Sequence, residues 1–98
     1  MANNDERKAA ARAHAVLCTL MPSTARDDQI VSDLRKASRL TTAARAQSFS
    51  SDAELNRLRD DAVLTLNGVG GSLGTPVLTR DMIDKAKRAV AALRSRLK

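Results

Sequence analysis

The sequence predicts an all-α protein, a single small domain of four helices that is bundle-like in architecture. In four segments of the 98-residue chain, apolar residues recur at steps of three and four. Capping residues precede these segments, and proline or glycine lies between several of them. Short connections favour antiparallel neighbours. The predicted helices cover about 4–21, 24–47, 52–66 and 80–97, with a flexible Gly-rich loop at 67–78.

The first helix is predicted to begin at a capping box, in which Asn3 precedes Glu6 by three residues. It should end near Pro22, because the residue before a proline is disfavoured in helical geometry. One face carries the residues expected to be buried: Ala9, Ala13, Val16, Leu17, Leu20 and Met21.

His14 and Cys18 lie four residues apart beside that face, which is half of a zinc-type ligand set. The chain contains no other His or Cys. We therefore expect no metal site and no thiol chemistry, with Cys18 acting as a small buried residue and His14 bordering the core. A single Cys also excludes an intrachain disulfide and fits a reducing compartment.

Ser23 or Thr24 is predicted to cap the second helix, with Asp27 near its N-terminal turn. Arg35 and Arg39 project away from the buried face, four residues apart, and Asp33 is expected to offset part of their charge. The residues expected to face the core are Ile30, Leu34, Ala37, Thr41 and Ala44, with Leu40 widening that face.

The third helix is predicted to start at a second capping box, Ser51 with Glu54, and to bury Leu55, Leu58, Ala62 and Leu66. Phe49 is expected to fold back onto this helix. Val63 and Leu64 fall off the buried face, so we expect them to form an oligomer or partner patch.

The pair Asn67-Gly68 is predicted to stop the third helix. The following glycines do not match the dinucleotide-binding pattern, and the Gly-Lys-Ser/Thr ending of a nucleotide-triphosphate loop is missing. We interpret this segment as a flexible hinge that lets the C-terminal helix either fold back on the other three or reach a partner.

Thr79 is predicted to cap the fourth helix, while Leu78 packs on Ile83 as a hydrophobic staple. Four-residue spacings predict ion pairs from Asp81 to Lys85 and from Asp84 to Arg88. The apolar face consists of Met82, Ile83, Ala86, Ala89, Val90, Leu93 and Leu97.

The formal net charge of +6 and the pI near 10.5 favour an acidic partner, either nucleic acid or an acidic protein. Arg80, Lys87 and Arg94 are spaced by sevens along one flank of the fourth helix, with no local acidic partner evident. A solvated basic surface would explain them equally well. The candidate binding residues are Arg35, Arg39, Arg80, Lys87, Arg94, Arg96 and Lys98.

These features predict a small non-enzymatic protein that binds nucleic acid or a nucleoprotein complex through its basic C-terminal helix. The alternative is an adaptor or inhibitor, such as a phage- or plasmid-encoded regulator, that docks on an acidic protein surface. No catalytic motif is present, and we expect no cofactor. An alanine-rich core that buries little area favours a homo-oligomer, with a dimer as the first expectation. Without an evident secretory signal or membrane span, the expected location is cytoplasmic.

Overall fold

The computed structural model describes residues 2–47 and 52–97, which form four α-helices packed into one bundle. The prediction of an all-α, four-helix domain is confirmed, and the described residues contain no strand. The helices are α1 (Ala2–Thr19), α2 (Asp28–Gln47), α3 (Ala53–Ser72) and α4 (Arg80–Arg96).

Each helix packs against two others, so that the four form a ring in the order α1, α2, α3, α4. Helices α2 and α3 run antiparallel: Ser38 of α2 bonds to Asn67 of α3, whereas Arg45 further along α2 pairs with Asp60, earlier in α3. The α-carbon envelope measures 40 × 22 × 19 Å. Over the described residues, the diagonal pairs α1–α3 and α2–α4 make no close backbone contact.

The core is aliphatic and contains residues from every helix. Five leucines are almost fully enclosed: Leu17, Leu34, Leu66, Leu73 and Leu93. Met21 was expected on the buried face of α1, but it is 59% exposed. The helix ends at Thr19, and the chain then turns so that the Met21 amide donates to the Thr24 hydroxyl.

The second helix begins at Asp28, four residues later than predicted, so the expected cap at Ser23 or Thr24 is wrong. Asp27 takes that role, because its carboxylate accepts hydrogen bonds from the amides of Gln29 at 2.8 Å and Ile30 at 3.4 Å. A carboxylate there also lies at the positive end of the helix dipole.

The third helix continues to Ser72, so the predicted stop at Asn67 and the flexible Gly-rich loop are both wrong. Burial of Val69 and Leu73 extends the apolar face beyond Leu66 and outweighs the low helix propensity of the glycines. At its start, Asp52 caps the helix by accepting from the Leu55 amide at 3.0 Å. The predicted roles of Phe49 and Ser51 lie outside the described residues.

Only Gly74, among the described residues, has a positive φ, at 80°. A Cβ atom at this position would lie 2.9 Å from the backbone nitrogen of Arg26. The loop that precedes α4 is therefore packed directly on the loop that precedes α2, and a side chain at residue 74 would push the two apart.

The fourth helix closely matches its prediction. The Thr79 hydroxyl accepts from the Met82 amide at 3.2 Å, and the staple residues Leu78 and Ile83 are both buried. The Asp81–Lys85 ion pair is present at 3.3 Å.

A buried ion pair joins the two diagonal helices α1 and α3. Arg59 donates from Nε to Glu6 Oε2 at 2.9 Å and from Nη2 to Glu6 Oε1 at 3.0 Å. The side chains of Glu6 and Arg59 are only 0% and 4% exposed. Glu6 therefore belongs to the core, and the capping box that paired it with Asn3 is wrong, since α1 already begins at Ala2.

Candidate functional site

The predicted basic residues lie on two helices that make no close backbone contact within the described chain. Arg35 and Arg39 are on α2, whereas Arg80, Lys87, Arg94 and Arg96 are on α4, diagonally across the bundle. The structure therefore divides the candidate residues between separate surfaces. Lys98 lies outside the described residues.

Three arginines line one groove on the outer side of α2, and we refer to Arg26, Arg35 and Arg39 as the α2 basic face. The groove has a volume of about 400 Å³, and Asp28, Val31 and Ser32 complete its lining. Arg35 and Arg39 are one helical turn apart, which separates their α-carbons by about 6 Å along the axis. All three arginines are exposed.

Arg26 reaches this face from the loop before α2, and sequence reasoning did not single it out. Its backbone packs against Gly74, so the contact between the two loops places it at the start of α2. Arg26 and Arg35 also border a smaller depression toward the end of α3, where Gly70 and Gly71 present no side chain. Recognising Asp27 as the helix cap would have located Arg26 beside the first turn.

Asp33, the acid expected to offset the charges of Arg35 and Arg39, interacts with α1 instead. Asp33 accepts a hydrogen bond from Arg12 of α1 at 3.3 Å and another from Gln29 at 3.1 Å, and its side chain is 13% exposed. The expectation that Asp33 offsets Arg35 and Arg39 is therefore wrong. No ion pair to Arg26, Arg35 or Arg39 occurs within residues 2–47 and 52–97.

Lys36 extends the positive charge of α2 toward α1. It lines a groove of about 510 Å³ between the two helices together with Lys8 and Arg12, and Asp5 and Asp33 lie in the same groove. Since acids and bases are mixed there, this second groove is closer to neutral than the α2 basic face.

Several bases of α4 have acidic partners that sequence spacing did not show. Lys87 pairs with Asp84 at 3.5 Å, in place of the predicted Asp84–Arg88 pair. Arg96 pairs with Asp52 at the start of α3. The interpretation of Lys87 as lacking a local acidic partner is therefore wrong, and Arg96 has a partner that is distant in the sequence.

Arg94 differs from those two bases, since it has no ion pair among the residues that the structure describes. It lines a groove of about 350 Å³ between α1 and α4, with Arg7 and His14 on the α1 side. Arg80, at the N-terminus of α4, is exposed and likewise has no ion pair in the described chain.

The predicted surroundings of Cys18 are not found. Its side chain is exposed, with Sγ 3.8 Å from Nδ1 of the half-buried His14, so the expectation of a buried thiol is wrong. Where the structure is described, no three His, Cys, Asp or Glu residues are grouped as metal ligands.

Val63 and Leu64 lie beside a groove of about 340 Å³ between α2 and α3. Leu64 is 73% exposed, as expected for a residue off the buried face, and Val63 is half-buried. Arg45 and Asp60 also line this groove and form an ion pair at 3.3 Å, which leaves the surroundings of the two apolar residues nearly neutral.

The chain matches no protein-family model, no curated protein and no solved structure. Function is therefore inferred from the side chains described above. Within the described parts of the chain, no helix is both long and apolar enough to cross a membrane. The arrangement of most chemical interest is the α2 basic face, because arginines without acidic partners are available to bind phosphate or carboxylate oxygens.

Proposed function

We propose that this protein is a non-enzymatic, nucleic-acid-binding protein of the cytoplasm and that the α2 basic face contacts the phosphate backbone. The observation that supports the proposal most strongly is that Arg26, Arg35 and Arg39 line one groove while Asp33 is directed toward α1. Charge that is not neutralised within the fold can be neutralised by a partner.

The main contact surface is then on α2, and not on the C-terminal helix that the sequence predicted. On α4, Lys85, Lys87 and Arg96 each have an acidic partner within the described chain, and a phosphate would have to compete with those carboxylates. Within the described chain, Arg26, Arg35 and Arg39 of the α2 basic face form no ion pair, although Asp28 also lines their groove.

Contacts of this kind supply affinity without base recognition. Arginines that neutralise phosphates release counterions, so binding weakens steeply with salt and depends little on sequence. The chain has no Trp or Tyr and a single Phe, which disfavours a single-strand binder that stacks bases on aromatic rings. A duplex is therefore the preferred ligand class.

The direct test is a fluorescence-anisotropy titration of a short labelled duplex, as DNA and as RNA, at several salt concentrations. About three phosphate contacts predict a slope near −3 for the logarithm of the binding constant against the logarithm of the salt concentration. The double variant Arg35→Gln/Arg39→Gln should make this slope shallower by about 2.

A matched control separates the α2 basic face from net charge alone. The double variant Arg57→Gln/Lys85→Gln removes the same charge from two exposed bases that are paired with Asp61 and Asp81. It should bind the duplex nearly as well as the wild type. Equal losses in the two double variants would mean that only the overall charge matters, and absence of binding at low salt would reject the proposal.

A second candidate function is docking on another protein, either a regulatory target or a second copy of this chain. The observation that favours it is the exposed Leu64 beside half-buried Val63 in a nearly neutral groove, since an exposed apolar side chain of this size suits a protein contact. Sedimentation analysis of the wild type and of Leu64→Asp tests the copy–copy form. A dimer that Leu64→Asp converts to monomer would support it, and a wild-type monomer would reject it.

A further inference from the structure

We infer that the groove between α1 and α4 is a second phosphate-binding surface, and that the two surfaces together allow one molecule to bridge two nucleic-acid duplexes. The inference rests on the proposed function, because the bridged ligand is the one that the α2 basic face binds.

The α1–α4 groove has the composition of an anion site. Arg7 and Arg94 lie on its two sides, and His14 lies on the α1 side. Small residues complete the lining, namely Ala11, Ala91 and Ser95. No acidic residue is among these lining residues, and neither arginine has an ion pair in the described chain. The hydrogen bond that Arg7 makes in the described chain goes to a neutral amide oxygen, Oδ1 of Asn4, at 3.3 Å. Two guanidinium groups beside a shallow channel can each donate to phosphate oxygens.

The two basic surfaces lie on opposite sides of the molecule. In the ring of helices, α1 and α4 form one side, and α2 and α3 form the side that faces away from it. Arg26 and Arg35 border the side formed by α2 and α3, since they share a depression with Asn67 and Gly70 of α3. The body between the two surfaces measures 22 × 19 Å across its α-carbons.

A single duplex cannot occupy both surfaces at once. Double-stranded DNA has a persistence length of about 150 base pairs, and bending a short site by even 90° costs several kcal/mol. To contact both surfaces, one duplex would have to reverse its direction around the helix bundle, which needs a much sharper bend. Simultaneous occupation of the two surfaces therefore requires two separate duplex segments, which is bridging.

The second surface should be the weaker of the two. It offers Arg7 and Arg94, whereas the α2 basic face offers three arginines with Lys36 nearby. Fewer phosphate contacts give lower affinity and a smaller salt slope. We therefore expect bridging to require more protein than the binding of a single duplex, and to be lost at lower salt.

A two-duplex capture assay tests the inference with the full chain. One duplex is immobilised on beads, a second carries a fluorophore, and recovery of the fluorophore on the beads measures bridging. The wild type should recover it, and Arg7→Gln/Arg94→Gln should lower recovery at least about tenfold while anisotropy of a single duplex changes less than about threefold. Because Arg94 is half-buried, Arg7→Gln alone serves as a second variant, with an intermediate loss expected.

The results of the capture assay distinguish failure of bridging from failure of duplex binding and from self-association of the protein. If the wild type binds a single duplex but recovers none of the second, bridging is refuted while the α2 proposal stands. If no duplex binds, the proposed function itself fails. If Arg7→Gln/Arg94→Gln still bridges, a copy–copy contact joins the duplexes and the α1–α4 groove is not the second site. The Arg57→Gln/Lys85→Gln control should bridge as the wild type does.

Discussion

Replacing Arg59 with methionine is expected to be among the most damaging single changes in this fold. The substitution leaves the Glu6 carboxylate, 0% exposed in the structure, without the two hydrogen bonds that it accepts at 2.9 and 3.0 Å. Breaking a buried ion pair by removing one partner costs about 3–5 kcal/mol. Domains of this size have a total stability of only about 5–15 kcal/mol. The melting temperature should therefore fall by roughly 12–30 °C.

The compensating double variant makes this prediction more specific. Glu6→Leu/Arg59→Met replaces both charges with apolar side chains, and such replacements are often neutral or stabilising. We expect the double variant to lie within about 1 kcal/mol of the wild type, or above it. Arg57→Met is the matched control: it lies two residues away on α3, its side chain is 65% exposed, and its ion pair with Asp61 is at the surface. Arg57→Met should lower the free energy of unfolding by less than about 1 kcal/mol.

Urea unfolding followed by far-ultraviolet circular dichroism provides the measurement, since the chain lacks Trp and Tyr for intrinsic fluorescence. An unchanged denaturant slope would show that the variants unfold from comparable native states. A loss below about 1 kcal/mol for Arg59→Met would refute the buried diagonal pair. The buried pair would also be refuted if Glu6→Leu/Arg59→Met were as unstable as Arg59→Met alone. Removing the Glu6 charge would then not recover the stability lost with Arg59.

Two further predictions concern backbone conformation and capping, and both use the same unfolding assay. Gly74→Ala should destabilise the protein by about 2 kcal/mol, because residue 74 has a φ of 80° and its Cβ would meet Arg26. Gly70→Ala should stabilise the protein by about 0.5–1 kcal/mol, because this helical position has open space around it. The opposite ranking would contradict the loop contact. Thr79→Ala should cost about 1 kcal/mol by removing the cap of Met82, and no measurable loss would show that the cap contributes nothing.

The helices that sequence patterns predicted best were those whose local signals agreed. For α4, the Thr79 cap, the Leu78 staple and a regular apolar face all indicate one start, and the observed helix begins as predicted and ends at Arg96. For α2, Ser23, Thr24 and Asp27 are all competent caps, and periodicity alone cannot choose among them. The structure uses the one nearest the apolar run.

Two features depended on packing and could not be obtained from local patterns. Glycines in α3 favour a stop, but the burial of Val69 and Leu73 keeps the helix intact. Glu6 and Arg59 each fall within an apolar face, at helical spacing from Ala13 and Leu66 respectively. A charge at such a position signals a buried partner, but identifying that partner requires knowing that α1 and α3 are diagonal neighbours.

Only part of the candidate site could be predicted from the sequence, because the rest also depends on packing between helices. Exposure of Arg35 and Arg39 follows from helical periodicity, and the structure agrees. Which bases have acidic partners depends on contacts between helices, such as Asp33 with Arg12 or Asp52 with Arg96. Within the described chain, Arg35 and Arg39 have no ion pair and share one groove with Arg26, whereas Arg80 and Arg94, also without ion pairs, lie near opposite ends of α4.

Mapping amide chemical shifts by NMR during titration with a short duplex tests the central claim most directly. At substoichiometric duplex, the proposed function predicts the largest shifts in Arg26 and in the turns of α2 that carry Arg35 and Arg39. Smaller shifts near Arg7 and Arg94 should follow at higher duplex concentration. Shifts centred on Leu64, or confined to α4, or absent at low salt would contradict the assignment of the α2 basic face as the phosphate-binding surface.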